Sequence, residues 1–167
     1  MRYLASIAAA IAFLFVATTS PMAQSSDHIT ATIIVKELTA MGYKSTVDTD
    51  SSGDPRVKMV IDGYNWEIYF FACAPGERDT RLCESYQFYS GYVTSEMTAP
   101  SVINQWNTDQ RYSKAYTATL NNGRPSSRIE IDVRAEGTSG NQAAMFRIYF
   151  GIMKDKAIRF RKHIGLT

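Results

Sequence analysis

The stretch DTDSSGDP, Asp48 to Pro55, places three carboxylates, two serine hydroxyls and a glycine in one short run, a composition that could hold a divalent cation. Read as a calcium loop beginning at Asp48, it offers Asp50 and Ser52 as further ligands and Gly53 as the turning residue. The position that needs a bidentate glutamate is instead Met59, so the ligand set is incomplete. Asp, Ser and Gly also make tight turns, because short polar side chains bond nearby backbone and glycine tolerates positive φ. The expectation is a turn between a short extended piece, Ser45 to Asp48, and a strand from Arg56. Irregular calcium binding by Asp48, Asp50 and Asp54 stays open at this level.

Other side chains able to do chemistry are sparse. His28 and His163 lie near opposite ends of the chain, and His163, in RFRKHIG, suits the C-terminal end of a helix, where a cation is favoured. Glu130 and Asp132 alternate with Ile129 and Ile131 and read as the solvated face of a strand. No phosphate-binding glycine loop and no zinc spacing occurs in the sequence. A nucleophile, a base and a group to orient that base are not found together, so no catalytic, cofactor or metal residue is assigned. A small carboxylate-dependent periplasmic enzyme is kept as the alternative to a non-catalytic module.

The two cysteines, Cys73 and Cys83, flank a Pro-Gly pair in CAPGERDTRLC. Two thiols across a turn suit a disulfide, whereas a metal site wants three or four ligands and a redox pair a tighter spacing. Export fits that reading. The N-terminus MRYLASIAAAIAFLFVATTSPMAQ has Arg2, an apolar run from Leu4 to Ala17, and a cleavage region at Pro21 to Gln24. Residues 1–23 are therefore expected to be a signal peptide, its apolar run too short to span a membrane, with 24–167 a single domain and no transmembrane segment after removal. The expected location is periplasmic or secreted. Without Arg2, the Lys and Arg of the chain exceed its 16 Asp and Glu by one, a balance that speaks against a nucleic-acid partner.

Stepping along the chain, Ser26 or Asp27 can cap a helix whose apolar stripe is Ala31, Ile34, Leu38 and Met41, ending at Gly42. Strands follow at Arg56 to Ile61, Trp66 to Cys73 and Glu84 to Tyr92. Thr98 and Pro100 open a short helix with Val102, Ile103 and Trp106 on its apolar face. Two more strands, Ser113 to Leu120 and Arg128 to Ala135, precede a helix from Ser139 carrying Phe146, Phe150, Met153, Ala157 and Phe160. The fold class is α+β, an antiparallel sheet with flanking helices in the order α-β-β-β-α-β-β-α. Lys154, Lys156, Arg159, Arg161 and Lys162 make the last helix basic; a solvated face explains them, with an anionic surface as the alternative.

Alternation in the second strand sends Trp66, Ile68 and Phe70 to one side and Tyr69 and Phe71 to the other, with Tyr89 of the next strand able to join them. Tyr69, Phe71 and Tyr89 are thus candidate partner-binding residues, set against the plainer reading of packing beneath a connecting segment.

The segments GYKSTVDTDSSGDPRVKMVIDGYNWEIYFFAC, CESYQFYSGY, INQWNTDQRYSKAY and RIEIDV together resemble the YbjN-domain family of bacterial proteins over about Ile29 to Gly165. The most specific pieces are Gly53-Asp54-Pro55, Trp106-Asn107 with Arg111 to Tyr116, and His163-Ile164-Gly165. The resemblance implies a fold like that of type III secretion chaperones, a binding or regulatory module, and a capacity to form a homodimer. It brings no catalytic residue. The export signal departs from those cytosolic chaperones, so a chaperone role does not carry over. The expected partner is an unidentified protein or peptide.

Overall fold

Val57, Met59 and Ile61 face the same way as Trp66, Ile68 and Phe70, and the chain sets these two runs side by side as neighbouring strands. In the computed structural model, which describes residues 27–166, the elements are α1 (Ala31–Ala40), β1 (Ser45–Thr49), β2 (Pro55–Ile61), β3 (Tyr64–Cys73), β4 (Cys83–Val93), α2 (Pro100–Asp109), β5 (Lys114–Thr119), β6 (Pro125–Arg134) and α3 (Ser139–His163). The expected signal peptide, residues 1–23, lies outside the described residues. The architecture is α+β: a six-stranded antiparallel sheet in the order β1-β2-β3-β4-β6-β5, with three helices. The short piece left out of the expected order pairs with β2 from Ser45↔Met59 to Thr49↔Pro55 and so becomes the edge strand β1.

Local chemistry fixes the connections. Asp62 and Gly63 have φ of 52° and 80°, the two left-handed positions of a tight hairpin turn between β2 and β3. Gly42, with φ 84°, ends α1: its N–H donates to the Thr39 carbonyl and that of Tyr43 to Leu38, so the last carbonyls of the helix are satisfied. The same pair of bonds closes α3 through Gly165 and Leu166.

Two expected caps are replaced. Thr30, not Asp27, caps α1 by accepting from the Ile33 N–H, while the Asp27 carboxylate accepts from the Gly137 N–H at 3.0 Å; Ser26, the other expected cap, lies outside the described residues. Thr98 does not cap α2, whose N-cap is Ala99; its hydroxyl instead shares a 2.7 Å bond with that of Ser127. In both places a long-range partner outcompetes the local backbone.

One sheet face and the helices bury a single continuous core. Phe88 of β4 stacks on Phe146 at 5.5 Å, and Phe146 on Phe150 at 5.7 Å. Trp106 meets Phe160 at 5.0 Å and His163 at 5.5 Å, and the His163 ring nitrogen lies 2.8 Å from the Val102 carbonyl, tying α3 to α2. Cys73 and Cys83 are joined by a disulfide across β3 and β4.

Candidate binding face

Because side chains alternate, everything opposite the core projects from the other face of the sheet, over which no helix lies among the described residues. The registers assemble cross-strand rows there. One runs Asp48, Arg56, Tyr69, Gln87, Asp132; the next runs Lys58, Glu67, Tyr89, Glu130, Lys114. A third places Arg128 beside Gly91 and Tyr116.

Within these rows each carboxylate has a cation or a phenol. Arg56 grips Asp48 through two 2.8 Å bonds, and Lys58 reaches the same carboxylate at 2.7 Å. Lys114 bridges Glu130 at 2.7 Å and Asp132 at 3.1 Å, Gln87 donates to Asp132, and the Tyr116 hydroxyl donates to Glu130 at 3.1 Å. The Tyr69 hydroxyl donates to Glu67. Glu130 is only 6% exposed, which corrects its reading as a solvated strand residue: Lys114 and the flanking Tyr116 cover it.

The tyrosines form the centre. Tyr69 and Tyr89 meet edge to face at 5.8 Å; the Arg56 guanidinium lies 5.8 Å from the Tyr69 ring, and that of Arg128 5.8 Å from Tyr89 and 5.9 Å from Tyr116. Gly91 makes room for this arrangement, since a Cβ there would come within 2.9 Å of the Tyr89 hydroxyl. Burial is the main cause that raises the Tyr69 phenol to about 12, and it also pushes up Tyr89 and Tyr116. Hydrogen bonding from Arg56, helped by Lys58, holds the Asp48 carboxyl well below the usual carboxylate range. The result is a row of hydrogen-bonding aromatic rings framed by the Arg56–Asp48 and Lys114–Glu130 pairs, with Arg128 lying over Tyr89 and Tyr116.

Phe71 stands apart. It is 42% exposed, at the end of β3 opposite Ser85, beside Ala72 with φ 51° and the disulfide, and it makes no ring contact with Tyr69 or Tyr89. The sequence therefore finds two members of the cluster, Tyr69 and Tyr89, and misses Arg56, Arg128 and Tyr116. Alternation with Ile129 could have placed Arg128 on this face, but its neighbours follow from β6 inserting between β4 and β5, which no local pattern announces.

The other candidates resolve separately. Asp50 accepts from the N–H groups of Ser52 and Asp54, while Asp54 accepts from Arg81, which also bonds the Gly53 and Gly76 carbonyls. With Asp48 held by Arg56, the three carboxylates of DTDSSGDP serve three different partners, and no cluster able to hold a metal occurs among the described residues. His28 and His163 are far apart in the fold, one beside the Ile29–Cys83 bridge and one against α2. On α3, Lys154 donates to the Tyr43 hydroxyl, Lys156 to Gln110, Arg159 pairs with Asp155, and Arg161 covers Tyr64 at 4.4 Å. These four are therefore structural contacts more than a free basic face. No helix among the described residues is long and apolar enough to cross a membrane.

No family model matches the chain. No curated protein matches it either. The chain is similar to the crystal structure of YbjN from E. coli, at 12% identity and a TM-score of 0.46, covering 78% of this chain and 85% of that one. The likeness is one of fold.

Proposed function

We propose that this chain is an exported, single-domain binding module, with no catalytic role, that takes up a protein or peptide on the tyrosine face of its sheet. The observation that carries the reading is the cluster of Tyr69, Tyr89 and Tyr116 interleaved with Arg56 and Arg128. Tyrosine and arginine supply rigid contact area and directional hydrogen bonds, and they are the residues over-represented at the energetic centres of protein interfaces. The Arg56–Asp48 pair and the hydrogen bonds of Tyr69 to Glu67 and of Tyr116 to Glu130 already hold much of this cluster in place, so less ordering is left for binding to do. Phe71, exposed at the margin, extends the face toward the disulfide. The carboxylate-dependent enzyme finds less support: the acids on this face are each engaged by a cation or a hydroxyl, and Asp48 is held low by its bond to Arg56.

The N-terminal charge and apolar pattern, together with the Cys73–Cys83 bond, supports removal of residues 1–23 and residence in the periplasm or outside the cell. Crosslinking in the native compartment, followed by identification of the captured chain, tests the binding reading. Tyr89→Ser and Arg128→Ala should each reduce capture at least about tenfold, as expected for central interface residues, with the circular dichroism spectrum unchanged, showing that each variant remains folded. Capture undiminished in both variants would refute the assignment of this face. The mass of the purified mature protein tests the cleavage.

A further inference from the structure

The two edges of the sheet are treated differently. At β5, residues Ala115, Thr117 and Thr119 point their N–H and C=O groups away from β6, because the alternate residues pair inward, as the Leu120–Arg124 bond of the hairpin shows. The Asn107 carboxamide occupies the first of these places: its nitrogen donates to the Ala115 carbonyl at 3.0 Å and its oxygen accepts from the Ala115 N–H at 2.8 Å. One side chain of α2 thus stands where a further strand would begin.

Among the described residues no side chain caps β1 in this way, although the turn Arg78–Thr80 packs beside it. The Asp50–Asp54 bond sets Asp48 and Thr46 inward, so Ser45, Val47 and Thr49 present their backbone groups outward, and no hydrogen bond reaches those of Val47 or Thr49 among the described residues. Beyond Ser45, toward Lys44, the chain leaves the ladder. The outward groups of Val60 are left without a β1 partner, beside a cleft of about 740 Å³ lined by Gly42, Lys44, Thr46, Lys58 and Val60 among others.

We propose that the occupant of the β1 edge is a second copy of this chain, added antiparallel about a two-fold axis at Val47. That register uses all the outward groups, pairing Val47 with its own copy and Ser45 with Thr49. It sets Asp48 opposite Thr46, avoiding the apposition of two Asp48 carboxylates, and brings Asp50 opposite Lys44, next to Lys58. The acidic turn of each copy enters the cleft of the other, whose lining carries Lys44 and Lys58 against the single carboxylate of Glu67, itself bonded by the Tyr69 hydroxyl. Strand pairing over so few residues buries less surface than a stable dimer needs, and the reciprocal turn-in-cleft contacts supply the remainder. The axis stands perpendicular to the sheet, so both tyrosine faces look the same way.

Sedimentation of the purified, disulfide-bonded protein over a range of concentrations tests this. The parent should reach twice the chain mass. Val47→Pro should stay at one chain mass, because proline there removes an outward N–H and leaves the inward ladder with β2 intact. Circular dichroism reports whether that variant is folded. Lys44→Glu, at an exposed site, keeps the test open if it is not: it should weaken the dimer about tenfold by setting Glu opposite Asp50. A parent that is monomeric throughout, or a dimer that both folded variants retain unchanged, overturns the proposal.

Discussion

Tyr69 shows how one side chain reports its surroundings. Burial raises its phenol to about 12, so the native state keeps a proton that the unfolded chain releases near its ordinary value of 10. Its contribution is intact below pH 10 and is lost as the pH rises from there toward 12. Replacing it with phenylalanine should flatten that part of a stability-against-pH curve measured by urea unfolding. Asp48 acts in the opposite limb. With its carboxyl held low by Arg56, its contribution is present above about pH 4 and lost on acidification, so Asp48→Asn should flatten the acid limb. Gly91→Ala brings a Cβ within 2.9 Å of the Tyr89 hydroxyl, so it should cost about 1–3 kcal/mol and displace the ring enough to lower partner capture. The sequence made these residues visible unequally. Alternation alone put Tyr69 on this face, whereas the burial of Glu130 depends on Lys114 and Tyr116 from a strand 14 to 16 positions away.

Among elements, the loop between β3 and β4 and the turn before β2 behave as one unit, because Arg81 bonds Gly53 and Asp54 across them and the Thr32 hydroxyl of α1 donates to Asp79. Breaking the disulfide by Cys73→Ser with Cys83→Ser should cost about 2–3 kcal/mol in denaturant unfolding, the scale for closing a loop of this length. Helices and hairpins were legible because their signals are local: the apolar stripe and Gly42 bound α1, and Asp62-Gly63 mark a two-residue turn. Caps were less so. Thr98 has the right chemistry to cap α2 and is drawn to Ser127, a partner set by the return of β6 to β4. The extended piece from Ser45 to Asp48 is visible in the sequence but, with one strongly apolar side chain, is too short to count as a strand until β2 pairs with it.

For the molecule as a whole, periodicity was enough to fix an antiparallel layer backed by helices, since Phe88, Phe146, Phe150 and Phe160 can be buried together in few other ways. Phe146→Ala should remove about 3–5 kcal/mol, because that ring packs on Tyr86, Phe88 and Phe150 together. What periodicity does not encode is strand order, and Arg128 and Tyr116 join the Tyr69–Tyr89 pair only because β6 lies between β4 and β5. The Asn107 carboxamide on Ala115 bears on the same order from its far side. A layer that could recruit neighbours along both borders would polymerise without limit into a fibre. With one border plugged by an amide and the other self-complementary, growth closes after a single addition, and Asn107→Asp, which replaces the donor with a negative oxygen facing a carbonyl, should unplug that border and let ordered aggregates elongate, detectable by light scattering.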